Sequence, residues 1–87
     1  MGKYSVLIKR SAAKEIEAVD QKKDRTRLIE RIRSLAMEPR AAGCEKLAGP
    51  DDVYRVRVGS FRIVYAIDDK AAEVHVIKVG HRRDVYR

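Results

Sequence analysis

Three arginines lie close together in the stretch YRVRVGSFRIVYAI, which spans residues 54–67. Apolar and basic residues alternate on both sides of its Gly-Ser pair, and a Gly-X pair suits a type II′ hairpin turn because glycine accepts positive φ. In the hairpin that this pattern predicts, Arg57 faces Arg62, and Arg55 points to the same side. Like charges opposite each other destabilise a sheet, whereas guanidinium groups bind phosphate oxygens through paired hydrogen bonds. The three arginines therefore predict an anion site that suits a phosphodiester.

The segment that follows Gly80 supplies further candidate functional groups. It reads HRRDVYR and begins where the last predicted strand ends. If this tail folds over the three arginines, His81, Arg82 and Tyr86 join them in a concave basic surface, with Arg83 as an additional cation. Imidazole titrates near neutral pH, and a phenol ring offers a plane on which a base can stack. We expect this combination to suit a phosphodiester better than a sugar or a carboxylic acid.

Plainer interpretations compete with this one. The arginines could be solvated or paired with acids, for which Glu73, Asp68 and Asp84 are candidates. His75 lies inside a predicted strand, which favours a structural or solvent-facing side chain over a catalytic one. Cys44 is the single cysteine, so an internal disulfide and a cysteine-rich zinc site are excluded.

The composition predicts one globular domain over residues 1–87. The chain is 45% hydrophobic and 38% charged, with 20 Lys and Arg against 13 Asp and Glu, for a net charge of +7. This balance favours a polyanionic partner such as nucleic acid, a membrane surface or an acidic protein. The sequence has no apolar run long enough for a transmembrane helix and no signal-peptide pattern. A reducing, cytoplasmic location is expected.

Two helices are predicted before the hairpin. Ser11 would cap a helix over residues 12–19, and Asp24 would cap a longer helix that ends before Pro39. The second helix has an apolar stripe at helical spacing, made of Leu28, Ile29, Ile32, Leu35 and Ala36. The connection that follows contains Leu47 as its expected anchor to the core.

Strands are predicted at residues 4–9 and 73–79, in addition to the hairpin. The latter is apolar on both faces, which is typical of a central strand, and it is placed beside the second hairpin strand. Whether the first strand flanks it or lies at another edge is left open. The order predicts an α+β fold: an N-terminal strand, a helical hairpin and a three-stranded antiparallel meander. The helices would cover one sheet face and leave the arginines on the other.

The hairpin, the valine-rich strand and the ending VGHRRDVYR together resemble the RelE side of the RelE/ParE toxin superfamily of toxin–antitoxin modules. The resemblance covers the whole chain, including a KLAG loop before the hairpin. It implies a RelE-like, microbial RNase-like fold and a ribosome-dependent mRNA endonuclease (mRNA interferase) that inhibits translation. In that reaction the 2′-hydroxyl attacks the adjacent phosphate, without a metal or another cofactor.

The resemblance also assigns roles within the predicted site. It places Arg62, Arg82 and Tyr86 among the catalytic residues, and Arg55 and Arg57 at two strand positions where well-studied members carry lysines. Arginine cannot give up its proton at useful pH, so neither strand residue can be the base. His81 or Tyr86 becomes the candidate base, and Arg82 would support the leaving oxygen.

Partners follow from the same resemblance. It implies a cognate RelB-like antitoxin with an acidic wrapping segment, as well as the ribosome and mRNA, and no membrane. The toxin alone would be monomeric and would form a higher-order complex with the antitoxin. Two alternatives stay open: a ParE-like inhibitor of DNA gyrase, against which the clustered arginines argue, and a basic RNA-binding module without catalytic activity.

Overall fold

Two helices pack on one face of a five-stranded sheet in this computed structural model, which describes residues 3–40, 42–47, 49 and 52–81. The elements in chain order are β1 (Ser5–Ile8), α1 (Arg10–Glu17), α2 (Lys22–Ser34), β2 (Cys44–Lys46), β3 (Val53–Val58), β4 (Phe61–Asp68) and β5 (Glu73–His81). The sheet order is β1-β5-β4-β3-β2. Only the β1–β5 pair is parallel among these neighbours. The predicted α+β fold is confirmed.

The central hairpin has the predicted register. Val58 pairs with Phe61 and Arg57 with Arg62, and Gly59 has a φ of +59°, which the first turn position of a type II′ hairpin requires. β5 then pairs antiparallel with β4, as the meander predicted. The hairpin is thus fixed by local turn chemistry and by alternation.

The core lies between the helices and the hairpin face that carries no arginine. Its buried side chains from the sheet are Tyr54, Val56, Ile63, Tyr65, Ile67, Val74, Val76 and Val79, and those from the helices and the residues just after them are Ala12, Ile16, Val19, Leu28, Ile32 and Leu35. Ile29 of the predicted stripe is instead 41% exposed. The Tyr65 hydroxyl donates a hydrogen bond of 2.7 Å to the Pro39 carbonyl, so its buried polar atom has a partner.

Both helices begin earlier than the sequence predicted. Lys9 and Gln21 occupy the N-cap positions, and neither caps with its side chain. Ser11 and Asp24 lie inside the first turns instead. The backbone N–H of Lys9 bonds to the Val76 carbonyl at 2.9 Å, so the pairing of β1 with β5 places the extended residue from which α1 starts.

β2 and the position of β1 complete the sheet. β2 was predicted as part of a loop, but its residues pair antiparallel with β3. Cys44 packs against the core, and Leu47, which was the predicted anchor, is half-buried. β1 lies at the edge beside β5, which is one of the two places left open for it. The presence of β2 and the edge position of β1 both depend on pairing with distant strands, which no local sequence pattern indicates.

α1 protects the edge of β5 beyond the end of β1. Glu15 accepts a hydrogen bond from the Val79 backbone N–H at 2.9 Å and forms an ion pair with Lys78 at 3.2 Å. The β4–β5 register shifts beside Val64, so this part of β5 is locally bulged. The carboxylate therefore satisfies an edge N–H next to Gly80, the residue of β5 that pairs with Arg62.

Candidate phosphate-binding site

Arg55, Arg57 and Arg62 lie on the sheet face opposite the helices and form the arginine face. Arg57 is paired with Arg62 across the hairpin, and Arg55 follows on the same side of β3. Arg57 is exposed, whereas Arg55 and Arg62 are half-buried. The structure thus brings together three of the predicted site residues. Guanidinium groups at this spacing can hold one phosphate group from two sides.

The surroundings of Arg62 disfavour the charged form of its guanidinium. Its pKa is lowered first by loss of water around the guanidinium, and then by the charges of Arg55 and Arg57, while Glu45 opposes the shift. A group whose charged form is disfavoured in this way gains from a nearby anion. The arginine face is therefore electrostatically prepared for a negatively charged ligand.

Glu45 contributes a carboxylate to this face, which the sequence did not single out. It pairs with Arg55 in the β2–β3 register, and its Oε2 lies 3.3 Å from Arg55 Nη2. Its side chain is 68% exposed, so it stays accessible to a ligand. A carboxylate can accept a proton as well as balance charge.

The acids that the sequence proposed as partners of the arginines have other contacts. Glu73 lies 3.0 Å from His75, and Asp68 accepts a hydrogen bond from the Ala71 backbone N–H. Asp84 lies outside the described residues. Glu45 was missed because its strand was not predicted, and without that strand nothing in the sequence places Glu45 opposite Arg55.

The structure does not bring His81 to the arginine face. His81 pairs with Phe61 in the β4–β5 register, whereas Arg62 pairs with Gly80. Paired residues of a ladder point to the same side, so His81 leaves the sheet on the side of Phe61. The two rings meet edge to face, with centroids 5.8 Å apart.

Other predicted site residues lie outside the described part of the chain, namely Arg82, Arg83 and Tyr86. His75, which was predicted to be structural or solvent-facing, is exposed. Within residues 3–40, 42–47, 49 and 52–81, no group of three or more His, Cys, Asp or Glu side chains could hold a metal ion. None of the described helices is long and apolar enough to span a membrane.

A second polar cluster, around Arg40, ties together the end of the sheet away from the hairpin turn. Arg40 contacts the Tyr54 hydroxyl at 2.9 Å and Asp69 at 2.9 Å, and it lies 3.4 Å from Asp52. Tyr4 donates a further hydrogen bond of 2.7 Å to Asp69. Hydrogen bonds from Arg40 and then Tyr4 lower the pKa of Asp69. This network anchors both ends of the connection that carries Glu45.

Comparison with known proteins identifies the family. A family model described as the ParE toxin of the type II toxin–antitoxin system parDE matches residues 6–86. The chain belongs to this family. Toxin RelG from Mycobacterium tuberculosis is 38% identical to this ParE-family chain over 56 residues, which are 61% of each protein. Putative toxin RelE1 from Methanocaldococcus jannaschii is 32% identical over 62 residues, 69% of this chain and 67% of the relative.

The fold of this ParE-family toxin is that of RelE. The structure matches the archaeal RelE–RelB complex from Pyrococcus horikoshii with a TM-score of 0.83 and 26% identity, over 94% of this chain and 98% of that one. The protein is therefore a RelE-type toxin of the RelE/ParE superfamily, and the resemblance noted in the sequence is confirmed.

Proposed function

We propose that this RelE-type toxin is a metal-independent, ribosome-dependent mRNA endonuclease. The observation that carries the proposal is the arginine face, where Arg57 opposes Arg62 and the charge of Arg62 is disfavoured by its surroundings. Without an anionic ligand the opposed arginines only repel each other, whereas a bound phosphodiester would offset their repulsion. The names RelG and RelE1 of the relatives agree with a RelE-type activity.

Attack of the 2′-hydroxyl on the adjacent phosphate makes three demands on the site. A base must take the hydroxyl proton, cations must stabilise the charge that builds up on the phosphorane, and a donor must support the leaving oxygen. Arg57 and Arg62, from the two paired strands of the hairpin, meet the second demand on one sheet face, and Arg55 adds a third guanidinium. Arginine is suited to this role because it keeps its charge and donates in pairs.

Glu45 is the group that we assign to the proton. Its carboxylate lies beside Arg55, on the face where the phosphate is held, whereas His81 points to the other side of the sheet. When a phosphate binds Arg55 in place of Glu45, the Glu45 carboxylate is released next to the substrate. Donation to the leaving oxygen is assigned to Arg82 on the family resemblance, and Tyr86 is the alternative base. Arg83, from the same segment, is assigned to RNA binding.

The ribosome supplies what this site lacks by itself. Cleavage requires the 2′-hydroxyl, the phosphorus and the leaving oxygen to lie in line, and held geometry of this kind accelerates reactions by many orders of magnitude. On the arginine face, Arg57 is exposed to solvent. A message fixed in the decoding site would arrive already oriented, so activity on ribosomes should greatly exceed activity on free RNA.

An acidic, RelB-like antitoxin is the proposed partner. The solved relative from Pyrococcus horikoshii is a RelE–RelB complex, and this chain carries a net charge of +7. Complementary charge would guide association, and an acidic segment over Arg55, Arg57 and Arg62 would compete with phosphate.

The experiment that tests the function is primer extension on message bound to ribosomes. Wild-type toxin should give cuts at codon-related positions, and Arg62→Gln should lose them by at least about 100-fold, because one preorganised charge contact is removed from the transition state. Arg10→Gln, an equal charge change on the exposed start of α1, should cut like the wild type. Absence of codon-related cuts by the wild-type toxin refutes the proposal.

Inhibition of DNA gyrase is the second candidate, because the matching family model describes a ParE toxin. It predicts gyrase-dependent DNA breaks in expressing cells while the message stays intact. The same Arg62→Gln variant would then remain toxic, since protein contacts with gyrase need no phosphate site. Comparing DNA breaks and message cuts in one culture separates the two functions.

A further inference from the structure

A cleft lies between α2 and the tip of the central hairpin, at the side of the sheet where β3 extends past β2. It is lined from α2 by Arg27, Glu30, Arg31 and Ser34, and from the hairpin by Arg57, Val58 and Gly59. Three guanidinium groups thus face one carboxylate. The lining has no other acid and only one apolar side chain of any size, Val58.

Two of these arginines lie close to the backbone that borders the cleft. Arg27 Nη1 lies 3.7 Å from the position that a Cβ would take on Gly59, so this guanidinium rests on the hairpin turn. Arg31 Nη2 donates a hydrogen bond of 3.0 Å to the Ala42 carbonyl and lies 3.7 Å from the position that a Cβ would take on Gly43. Arg27 and Arg31 are i,i+4 neighbours of like charge on α2, a pairing that weakens a helix.

The cleft is continuous with the arginine face through Arg57. β2 pairs with β3 only as far as Val56, which is opposite Cys44, so in the described chain Arg57 lies on an edge that β2 leaves uncovered. Its exposed side chain borders both the cleft and the face that carries Arg62. A cationic path therefore runs from Arg62, past Arg57 and around this edge, to α2.

We propose that the cleft is a second phosphate subsite, which holds the backbone of the RNA strand as it continues from the arginine face. The inference rests on the proposed function and extends it to a neighbouring nucleotide. Arginine forks recognise phosphate oxygens whatever the base. A protein ligand fits less well, because the centre of a protein interface is apolar and poor in charge, and this lining is neither.

The test measures how RNA affinity depends on salt. The probe is a fluorescently labelled, uncleavable 2′-O-methyl oligouridylate, titrated with toxin at several salt concentrations. Each phosphate contact to a single strand contributes about 0.7 to the slope of log affinity against log salt. Arg27→Gln/Arg31→Gln should therefore lower the slope by about 1.4, whereas the control Arg33→Gln, on the same helix outside the cleft, should leave it unchanged.

A second variant protects the test against a folding defect, since Arg31 also supports the chain before β2. Arg27→Gln alone should lower the slope by about 0.7 at an unchanged urea midpoint. An unchanged slope in both variants refutes the subsite. It is also refuted if only binding to message-free ribosomes is lost, which indicates ribosomal RNA, or if only antitoxin binding is lost, which indicates a protein surface.

Failure of the subsite and failure of the proposed function can be told apart with Arg62→Gln in the same assay. If Arg62→Gln lowers the slope and the α2 variants do not, RNA is bound at the arginine face alone and the subsite is refuted. If none of the variants lowers the slope, the subsite is refuted, whereas the proposed function is decided separately by the codon-related cuts on ribosomes. A lower slope in all three variants supports one continuous RNA path from the arginine face to the cleft.

Discussion

The substitution Glu45→Gln should change RNA affinity and cleavage rate in opposite directions. Glu45 lies 3.3 Å from Arg55 and is 68% exposed, and Gln keeps its size while removing both the charge and the ability to accept a proton. If Glu45 is the base and also competes with phosphate for Arg55, the variant should bind RNA more tightly and cut it more slowly. A residue that only supports the structure would not produce this combination.

The magnitudes follow from the geometry. An exposed ion pair is worth about 0.2–1 kcal/mol, so releasing Arg55 from Glu45 should strengthen RNA binding by no more than about fivefold. Loss of a general base costs about 10²–10⁴ in rate. The rate effect should therefore exceed the binding effect by at least one order of magnitude, and the two can be measured separately.

Single-turnover cleavage on programmed ribosomes gives the rate, and titration with an uncleavable message gives the affinity. Glu17→Gln is the matched control, because it removes an exposed carboxylate from α1 without touching the arginine face. A cleavage rate equal to that of the wild type shows that Glu45 is not the base. A weaker affinity shows that Glu45 positions Arg55 for phosphate instead of competing with it.

Three further predictions concern stability and charge. Tyr65→Phe should lower the free energy of unfolding by about 1–3 kcal/mol, measured in urea, because the Pro39 carbonyl loses its buried partner; an unchanged midpoint contradicts this. The pKa of Asp69 is depressed, so its stabilising contribution is present above its ordinary pKa of about 3.9 and is lost as the pH falls through the folded-state value. Asp69→Asn should consequently be less stable than the wild type at neutral pH, and this difference should vanish in acid; a constant difference refutes the linkage. Arg57→Thr should raise stability by about 0.2–1 kcal/mol, by removing a like charge opposite Arg62, while weakening RNA binding; lower stability contradicts the repulsion.

The hairpin was predictable because its information is local. A Gly-X turn fixes the register, and alternation then places the arginines and the core residues on opposite faces. Both followed from residues 54–67 alone, and the structure agrees with them pair by pair. Both helices were predicted, but the residues at which they begin were not. The start of α1 depends on a hydrogen bond from Lys9 to β5.

Glu45 and His81 show where local reasoning ends. A three-residue strand has no alternation to detect, so Glu45 could be placed beside Arg55 only through the pairing of β2 with β3. The position of His81 required the shift in register between β4 and β5, which no sequence pattern indicated. The unforeseen strand places Glu45 on the arginine face and the bulge places His81 on the other side, while Arg55, Arg57 and Arg62 lie where they were predicted.

The arrangement of charge links these results. Two pairs of like charges disfavour the elements that carry them. One is Arg57 opposite Arg62 in the sheet, and the other is Arg27 four residues before Arg31 in α2. Arg57 borders both the arginine face and the cleft. A fold selected for stability alone would remove such pairs, and local rules are most often broken at functional sites. Glu45 offsets part of the repulsion from an exposed position that a ligand can reach. In the proposed mechanism, this carboxylate is the group released beside the substrate when a phosphate binds Arg55 in its place.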